Sequence, residues 1–331
     1  MLEPWERRSM AGAAARAAQS TFSRVAPYLA GLGFASIFGL SFLFTKSALD
    51  RIDFLRLLGF RFGLAAIVVS LIAASGLIPV SFRGKSVSRV LSVALFQPIA
   101  YFLFETNGIM RSSTSQAGMM IALIPIAVVV LSRVFLGEKA SVGQLAFIFL
   151  SVGGVMVVAL SGSGAGSNGY AGLLFLFGAV CSAAFYNVLS RRSSAQFSPF
   201  EITFVMMWTG AIAFNIISVL THWQQRNLEG YFAPLAVPEV IGSLLYLGVI
   251  SSVLAFFLVN FAISRLPVSQ AAVFANLVTV VSISAGVLIR GEAFSMASLI
   301  GALMIISGVF GTNYLGQRKS QKRGIHVQDA V

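Results

Sequence analysis

The sequence predicts an all-α membrane protein whose ten transmembrane helices form two inverted five-helix repeats. Three observations carry this prediction: composition, the length of the apolar runs, and an internal repeat. Of the 331 residues, 57% are hydrophobic and 10% are charged, with a mean hydropathy of +0.88, whereas about a quarter of a soluble protein is charged. Apolar runs such as 57–74 and 145–160 have the length of a membrane-spanning helix and lack the alternation of barrel strands.

Short polar connections divide the chain into an arm, two repeats and a tail. Residues 1–26 are predicted to form a cytoplasmic N-terminal arm, and residues 316–331 a basic cytoplasmic tail. The first repeat covers 27–161 and the second 170–315, and the Gly/Ser-rich stretch 162–169 links them flexibly. The ten predicted helices are 27–47, 55–76, 89–109, 113–134, 141–161, 170–190, 200–220, 239–262, 268–289 and 296–315.

The distribution of positive charge predicts the topology. With the N-terminus inside, sixteen of the 23 Lys and Arg residues fall in inside segments and six in outside segments. Positive residues prefer cytoplasmic loops, so both termini are predicted to be cytoplasmic and the number of spans even. The same rule explains the net charge of +12 without a nucleic-acid partner. We expect a multi-pass protein of the cell inner membrane.

The two halves of the chain share a series of residues at one fixed offset. Ser115-Gln116-Ala117 recurs 154 residues later as Ser269-Gln270-Ala271, and Gly137-Glu138 recurs at the same offset as Gly291-Glu292. Each unit holds five predicted helices. Because five is odd, the second unit enters the membrane from the opposite side, which is the inverted-repeat arrangement of many secondary transporters.

These motifs resemble the drug/metabolite transporter (DMT) superfamily, specifically its EamA-type ten-helix transporters. The resemblance covers about residues 28–315 and rests on the Ser-Gln-Ala entries, on Pro125 and Leu136-Gly137-Glu138 in the first half, and on the stretch from Arg265 to Ala271 in the second. Gly39–Lys46 resembles the family's first helix and Arg61-Phe62 its second. Two positions depart from the family pattern: Phe38 stands where a Trp is frequent, and Thr279 where a proline is expected.

The resemblance implies a bundle in which helices 1–4 and 6–9 surround a central cavity, with helices 5 and 10 packed outside. It also implies export of amino acids or related metabolites, often linked to protons. The departures at Phe38 and Thr279 bear on the substrate rather than on the family.

Glu105 is the sharpest candidate for chemistry, since it is the one acid away from the ends of the predicted spans. A charge inside the bilayer costs about 3 kcal/mol or more, so such residues face a cavity and have a partner. Glu105 is therefore a candidate proton acceptor or a counter-ion for a substrate amine. The alternative is a structural ion pair or a side chain that reaches the outer surface.

Arg61 and Lys46 are the cations predicted to lie at a similar depth. Arg61 could recognise a carboxylate, or form a pair with Glu105 that substrate breaks; alternatively it braces helix packing. Lys46, near the outer end of the first helix, either meets Glu105 or extends its amine outward.

Gln97 and Tyr101 precede Glu105 by eight and four residues, so the three side chains share one helix face. Lipid would penalise that face, which predicts that it lines a cavity. Tyr186, Asn187 and Asn276 are further polar candidates, although single polar residues also hold helices together.

The sequence therefore favours a secondary active transporter that moves amino acids or related zwitterions by alternating access. Alternatives are an exporter of cationic drugs or other metabolites, or a channel. An enzyme is disfavoured because the predicted spans contain no His or Asp. Cys181 is the single cysteine, so we expect no disulfide within the chain, and we expect no metal site and no cofactor. Small residues around Ser307 and Gly311 pack helix 10 either onto its own bundle or onto a second copy, which would make a homodimer.

Overall fold

The computed structural model describes residues 4–136, 142–161, 167–226, 230–266, 271 and 274–328. This part of the chain is helical and contains no strand. Its α-helices are α1 (Pro4–Leu49), α2 (Phe54–Ala74), α3 (Val87–Ala94), α4 (Tyr101–Met110), α5 (Thr114–Ile121), α6 (Ile124–Leu136), α7 (Val142–Ser161), α8 (Ser167–Ser193), α9 (Pro199–Gln224), α10 (Pro238–Leu245), α11 (Phe256–Arg265), α12 (Ala275–Arg290) and α13 (Met296–Gln328).

Seven stretches of the described chain are long and apolar enough to cross a membrane, and three further apolar helices are shorter. The seven are Val25–Leu49, Phe54–Ala74, Val87–Met110, Thr114–Leu131, Tyr170–Ser193, Pro199–Gln224 and Pro238–Arg265. The three shorter ones are Val142–Val157, Ala275–Arg290 and Met296–Thr312. All overlap the ranges predicted from the sequence, and the chain is a multi-pass membrane protein.

The terminal helices are longer than predicted. α1 begins at Pro4, so the arm predicted over 1–26 continues into the first span as one helix. At the other end α13 extends to Gln328, through most of the predicted basic tail. Of the predicted linker 162–169, residues 162–166 lie outside the described part of the chain, and α8 already includes Ser167.

In two of the spans a π-helical segment interrupts the α-helix near its middle. Between α3 and α4, the segment Leu95–Ala100 is π-helical and contains Gln97 with non-helical angles (φ −147°, ψ 112°). Pro98 explains the break, because its ring removes a backbone donor and clashes with the preceding turn. Between α10 and α11, Tyr246–Ala255 is also π-helical. The offset of 154 residues carries the first interruption onto the second, and such segments are frequent at functional sites.

The packing of the helices separates an inner bundle from an outer pair. α1 packs on α12 and on the α10–α11 span, α8 packs on the α3–α4 span, and α2 packs along α9. Aromatic side chains such as Phe62, Phe102 and Phe256 join these helices in one continuous core. α7 and α13 pack chiefly on each other, so they form the outer pair.

Small residues allow α7 and α13 to approach closely. Gly308, Gly311 and Thr312 of α13 are buried, whereas Ser307 is exposed. A Cβ atom on Gly308 would lie 2.5 Å from the carbonyl oxygen of Phe147 in α7. Gly308 and Gly311 of helix 10 are thus covered within the chain, as the first of the two packings expected from the sequence requires, and contact with a second copy stays a prediction.

Candidate functional site: a cavity inside the bundle

A cavity of about 70 Å³ lies inside the bundle. Both halves of the chain contribute to its wall. Its aromatic members are Phe34, Phe38, Phe42, Tyr101, Phe102, Tyr186 and Phe256. Its polar members are Ser41, Arg61, Gln97, Glu105 and Asn187. Six of the eight predicted site residues therefore line one space.

Glu105 is buried in the wall of this cavity, with 4% of its surface exposed. Its Oε1 atom accepts a hydrogen bond from the Tyr101 hydroxyl at 3.0 Å. Its Oε2 atom is buried and has no hydrogen-bond partner in the described part of the chain. A buried polar atom without a partner is costly, so this oxygen is positioned to take a proton or to accept a bond from a bound molecule.

Gln97 presents a second acceptor to the same space. The interruption of the α3–α4 span places it two turns before Glu105, and its side chain is buried. Its Oε1 atom also has no partner among the described residues. The predicted stripe of Gln97, Tyr101 and Glu105 does line one cavity, although Gln97 reaches it from a non-helical position.

Arg61 lines the cavity, but serine side chains hold its guanidinium group. Its Nε donates to Ser252 Oγ at 2.9 Å and its Nη2 to Ser251 Oγ at 3.1 Å. The guanidinium carbon lies 4.3 Å from the centroid of the Phe102 ring, a cation–π contact. None of the ion pairs within 4.0 Å found among the described residues joins Arg61 to Glu105, so the structure does not contain the direct pair considered from the sequence.

Tyr186 and Asn187 reach the cavity from α8. The Tyr186 hydroxyl donates to Asn260 Oδ1 at 2.9 Å, and the amide of Asn260 donates to Thr203 Oγ1 at 3.0 Å. Asn187 donates to the carbonyl of Ala183 at 2.7 Å, within its own helix. These bonds fix the orientation of the α8 side of the wall.

Lys46 does not line the cavity, contrary to one of the two expectations from the sequence. Its Nζ donates to the carbonyl oxygens of Ile109 (2.8 Å) and Ser112 (2.7 Å) at the end of α4. The last carbonyls of a helix lack the partner that the next helical turn would supply, so an amine there provides an added hydrogen bond, and a cation there also complements the helix dipole. Asn276 is likewise outside the cavity wall, and its Oδ1 atom is buried without a partner in the described chain.

The aromatic side of the cavity was not predicted from the sequence. Phe34, Phe38 and Phe42 follow each other at intervals of four on α1, so they share one helix face. That spacing was a usable signal. Phe256 of α11 has no such aromatic repeat at intervals of four in its own span.

Apolar spans around a cavity that buries an acid define a membrane protein with an internal site for small molecules. Comparison with known proteins gives the family. The model of the EamA-like transporter family matches residues 25–160 and again residues 170–314. The chain belongs to the EamA-like transporter family, within the DMT superfamily, and is a transporter.

Named relatives agree with this assignment. The chain is 33% identical over 299 residues to the uncharacterized transporter YcxC of Bacillus subtilis, covering 90% of this chain and 96% of that protein. It is 26% identical over 223 residues to a probable terminal-alkyne amino-acid exporter of Streptantibioticus cattleyicolor, covering 66% and 71%. A protein crystal structure shares the fold with a TM-score of 0.62 at 18% identity, covering 87% of this chain and 98% of that one.

Proposed function

We propose that the chain is a secondary carrier that exports amino acids or related zwitterions through the central cavity. Glu105 is the group that binds the substrate amine or a coupling proton. One observation carries the proposal: the Glu105 carboxyl group is buried in a cavity wall with one oxygen bonded to Tyr101 and the other without a partner among the described residues. Intramembrane acids placed in this way mark substrate or proton pathways.

We further propose that transport occurs by alternating access between two inverted five-helix repeats. Three features support the repeat beyond the 154-residue offset. The family model matches each half separately. The α3–α4 and α10–α11 spans both contain a π-helical segment at corresponding positions, and such segments are frequent at functional sites.

The third feature is a pair of corresponding helix caps. Lys46 donates to the carbonyls of Ile109 and Met110. Arg191 donates to the carbonyls of Ile263 and Ser264, which are the positions 154 residues later. One basic side chain in each half thus satisfies the end of that half's interrupted span.

The zwitterion assignment rests on the two charged residues of the wall. Glu105 suits an amine, and Arg61 supplies positive charge to the same cavity for a carboxylate. The name of the Streptantibioticus relative, an amino-acid exporter, supports the same class. An organic cation is the second candidate, because Tyr101, Phe102 and Phe256 offer ring faces close to Glu105. The proposed location is the inner membrane, with both termini cytoplasmic.

The experiment is counterflow of labelled amino acids in proteoliposomes, with and without a proton gradient. Glu105→Gln keeps the size of the side chain and its acceptor for Tyr101 but removes the charge. Glu239→Gln is the matched control, since it makes the same chemical change at an exposed residue of α10.

We expect wild-type protein and Glu239→Gln to show saturable counterflow. If Glu105 carries the proton, Glu105→Gln loses the response to the gradient and retains exchange. If Glu105 binds the amine, exchange itself falls at least about tenfold, the loss expected when one buried ionic contact is removed. Wild-type behaviour of Glu105→Gln would refute the site. Inhibition by quaternary amines but not by amino acids would select the cation class.

A further inference from the structure

Arg61 carries a positive charge that no contacting carboxylate among the described residues compensates. Its side chain is buried, and its guanidinium group donates to two hydroxyl oxygens, those of Ser251 and Ser252. Hydroxyl groups satisfy N–H donors without neutralising the charge. Charged side chains inside a membrane protein pair with an opposite charge or mark a pathway for charged molecules, so the charge of Arg61 is left for a molecule in the cavity.

The two serines occupy one particular edge of the planar guanidinium group, which has five N–H donors in a fixed fork. The Nε–H and one N–H of Nη2 lie side by side on its side edge, and they donate to Ser252 and Ser251 at 2.9 and 3.1 Å. The Phe102 ring covers one face, with its centroid 4.3 Å from the guanidinium carbon. The end edge, formed by Nη1 and the second N–H of Nη2, makes no hydrogen bond within the described part of the chain.

This free end edge has the geometry that a carboxylate requires. Two parallel N–H groups match the two oxygens of a carboxylate, and such bidentate pairs are among the strong hydrogen bonds of proteins. Arg61 lines the central cavity together with Glu105. A carboxylate that enters the cavity therefore meets a cation with unused donors.

Ser251 and Ser252 differ from other buried serines of the chain. Ser182 and Ser282 donate to a carbonyl oxygen of their own helix, as serines within helices often do. Ser251 and Ser252 lie in the π-helical segment of the α10–α11 span, are fully buried, and accept hydrogen bonds from α2 instead. Neither belongs to the described residues that line the cavity, so they act on a bound molecule only through Arg61.

We propose that Ser251 and Ser252 are positioning residues that hold the side edge of Arg61, so that its end edge binds the carboxylate of the substrate. This inference rests on the proposed function, since it concerns the anionic end of a zwitterion. The hydroxyls keep the guanidinium group from turning toward Glu105, which leaves the Glu105 carboxyl group available to the amine. The serine pair thereby determines whether the cavity distinguishes an amino acid from an amine that lacks a carboxylate.

The test compares two probes that differ by one carboxylate. Phenylalanine and phenethylamine share an amine and an aromatic ring, and the ring suits the aromatic wall of the cavity. Their dissociation constants are measured by isothermal titration calorimetry on the full chain in detergent micelles. Wild-type protein should bind phenylalanine at least about tenfold more tightly than phenethylamine, as expected for one additional charged hydrogen-bonded pair.

Replacing both serines by alanine should remove this preference. In the combined Ser251→Ala and Ser252→Ala variant, phenylalanine binding should weaken at least about tenfold and phenethylamine binding should change less than about twofold. Each single variant keeps one hydroxyl and should give an intermediate preference. Ser243→Ala is the matched control, since Ser243 is a buried serine of the same span that does not bond to Arg61, and both constants should stay at their wild-type values. Equal weakening of both probes in the combined variant would indicate a merely structural role and refute the proposal.

A double-mutant cycle tests whether the serines act through Arg61. Arg61→Lys keeps the charge but lacks the planar fork, so it should also remove the preference for phenylalanine. Adding the two serine substitutions to Arg61→Lys should then change the ratio of the two dissociation constants by less than about twofold, because residues that act as a unit are not additive. Additive losses would contradict the proposal. The serine variants in the Arg61 background decide the question by themselves if Arg61→Lys does not fold.

Counterflow separates a failure of this inference from a failure of the proposed function. If wild-type protein moves amino acids but binds the two probes equally, the carboxylate site is wrong and the proposed function stands. If wild-type protein neither moves nor binds an amino acid, both are wrong.

Discussion

Gly308 tests how closely α7 and α13 must approach. In a Gly308→Ala variant the new Cβ atom would lie 2.5 Å from the carbonyl oxygen of Phe147 and 2.8 Å from the backbone nitrogen of Ser151. Contacts under 3.0 Å require a shift. The new Cβ would also meet the Ser151 hydroxyl, which can rotate away, but no rotamer change can move the two backbone atoms. The two helices must therefore separate by several tenths of an ångström along this segment.

The magnitude follows from two contributions. Overpacking a tight interface costs about 1–3 kcal/mol. Separation also stretches two hydrogen bonds between the helices. Ser151 Oγ donates to the Ile305 carbonyl at 3.1 Å, and Gln144 Nε2 donates to the Thr312 carbonyl at 3.2 Å. Each such bond is worth about 0.6 kcal/mol in a membrane protein. We expect Gly308→Ala to lower the free energy of unfolding by about 2–4 kcal/mol.

Two glycines provide controls for unfolding by SDS in mixed micelles. A Cβ on Gly311 would meet the Phe147 ring, including Cγ at 2.5 Å, but this half-buried side chain can turn toward lipid, so Gly311→Ala should cost less than about 1.5 kcal/mol. A Cβ on Gly242 meets nothing within 4 Å, so Gly242→Ala should gain about 0.5–1 kcal/mol of helix propensity. Equal losses for Gly308→Ala and Gly311→Ala would refute the distinction between backbone and side-chain obstacles.

Two further predictions concern helix ends that other segments satisfy. Glu292 accepts the backbone N–H groups of Thr114 (2.8 Å) and Ser115 (2.9 Å) at the start of α5. Burial alone raises the pKa of Glu292, but these bonds and the bond from the Ser115 hydroxyl outweigh burial, so the pKa lies below its usual value. The stabilisation from Glu292 is therefore present at neutral pH and is lost as pH falls through the lowered pKa. Glu292→Gln should lower the free energy of unfolding by about 1–2 kcal/mol at pH 7 and by progressively less below about pH 4, as measured by melting temperature. Lys46→Met should lower the free energy of unfolding by about 1 kcal/mol, because the hydrogen bonds to the carbonyls of Ile109 and Ser112 are lost. The half-saturating substrate concentration of counterflow should stay unchanged. An increase in that concentration would instead place Lys46 at the substrate.

The sequence predicted the polar side of the cavity because membrane burial leaves few explanations for a polar stripe. Gln97, Tyr101 and Glu105 at intervals of four had to share a face, and lipid excluded that face from the outside of the bundle. Depth along a helix did not decide between the two expectations for Lys46. A cation near a helix end has several acceptable neighbours, and depth along one helix does not say which neighbouring helix end it meets.

Arg61 could not be resolved from the sequence for a different reason. Its hydrogen-bond partners Ser251 and Ser252 are about 190 residues away, in a span whose apolar character hides them. Spacing within one helix can indicate a shared face, but it carries no information about which residue of another helix opposes it. The approximate depths of Arg61 and Glu105 suggested a direct pair, and the structure instead places serine hydroxyls on the guanidinium.

The two interrupted spans show how one scaffold supports an asymmetric site. The offset of 154 residues carries Gln97 and Pro98 onto Ser251 and Ser252. The first interruption presents an acceptor to the cavity, and the second supplies the hydroxyls that hold Arg61.

The same offset carries Glu105 onto Val259, and both line the cavity. A wall with a carboxyl group on one side and an aliphatic group at the related position distinguishes the two ends of a bound molecule. We therefore expect the site to hold its substrate in one orientation, with the amine toward Glu105. The chemistry of the cavity then depends on residues at which the two halves differ, whereas the π-helical segments and the capped carbonyls lie at corresponding positions of the two halves.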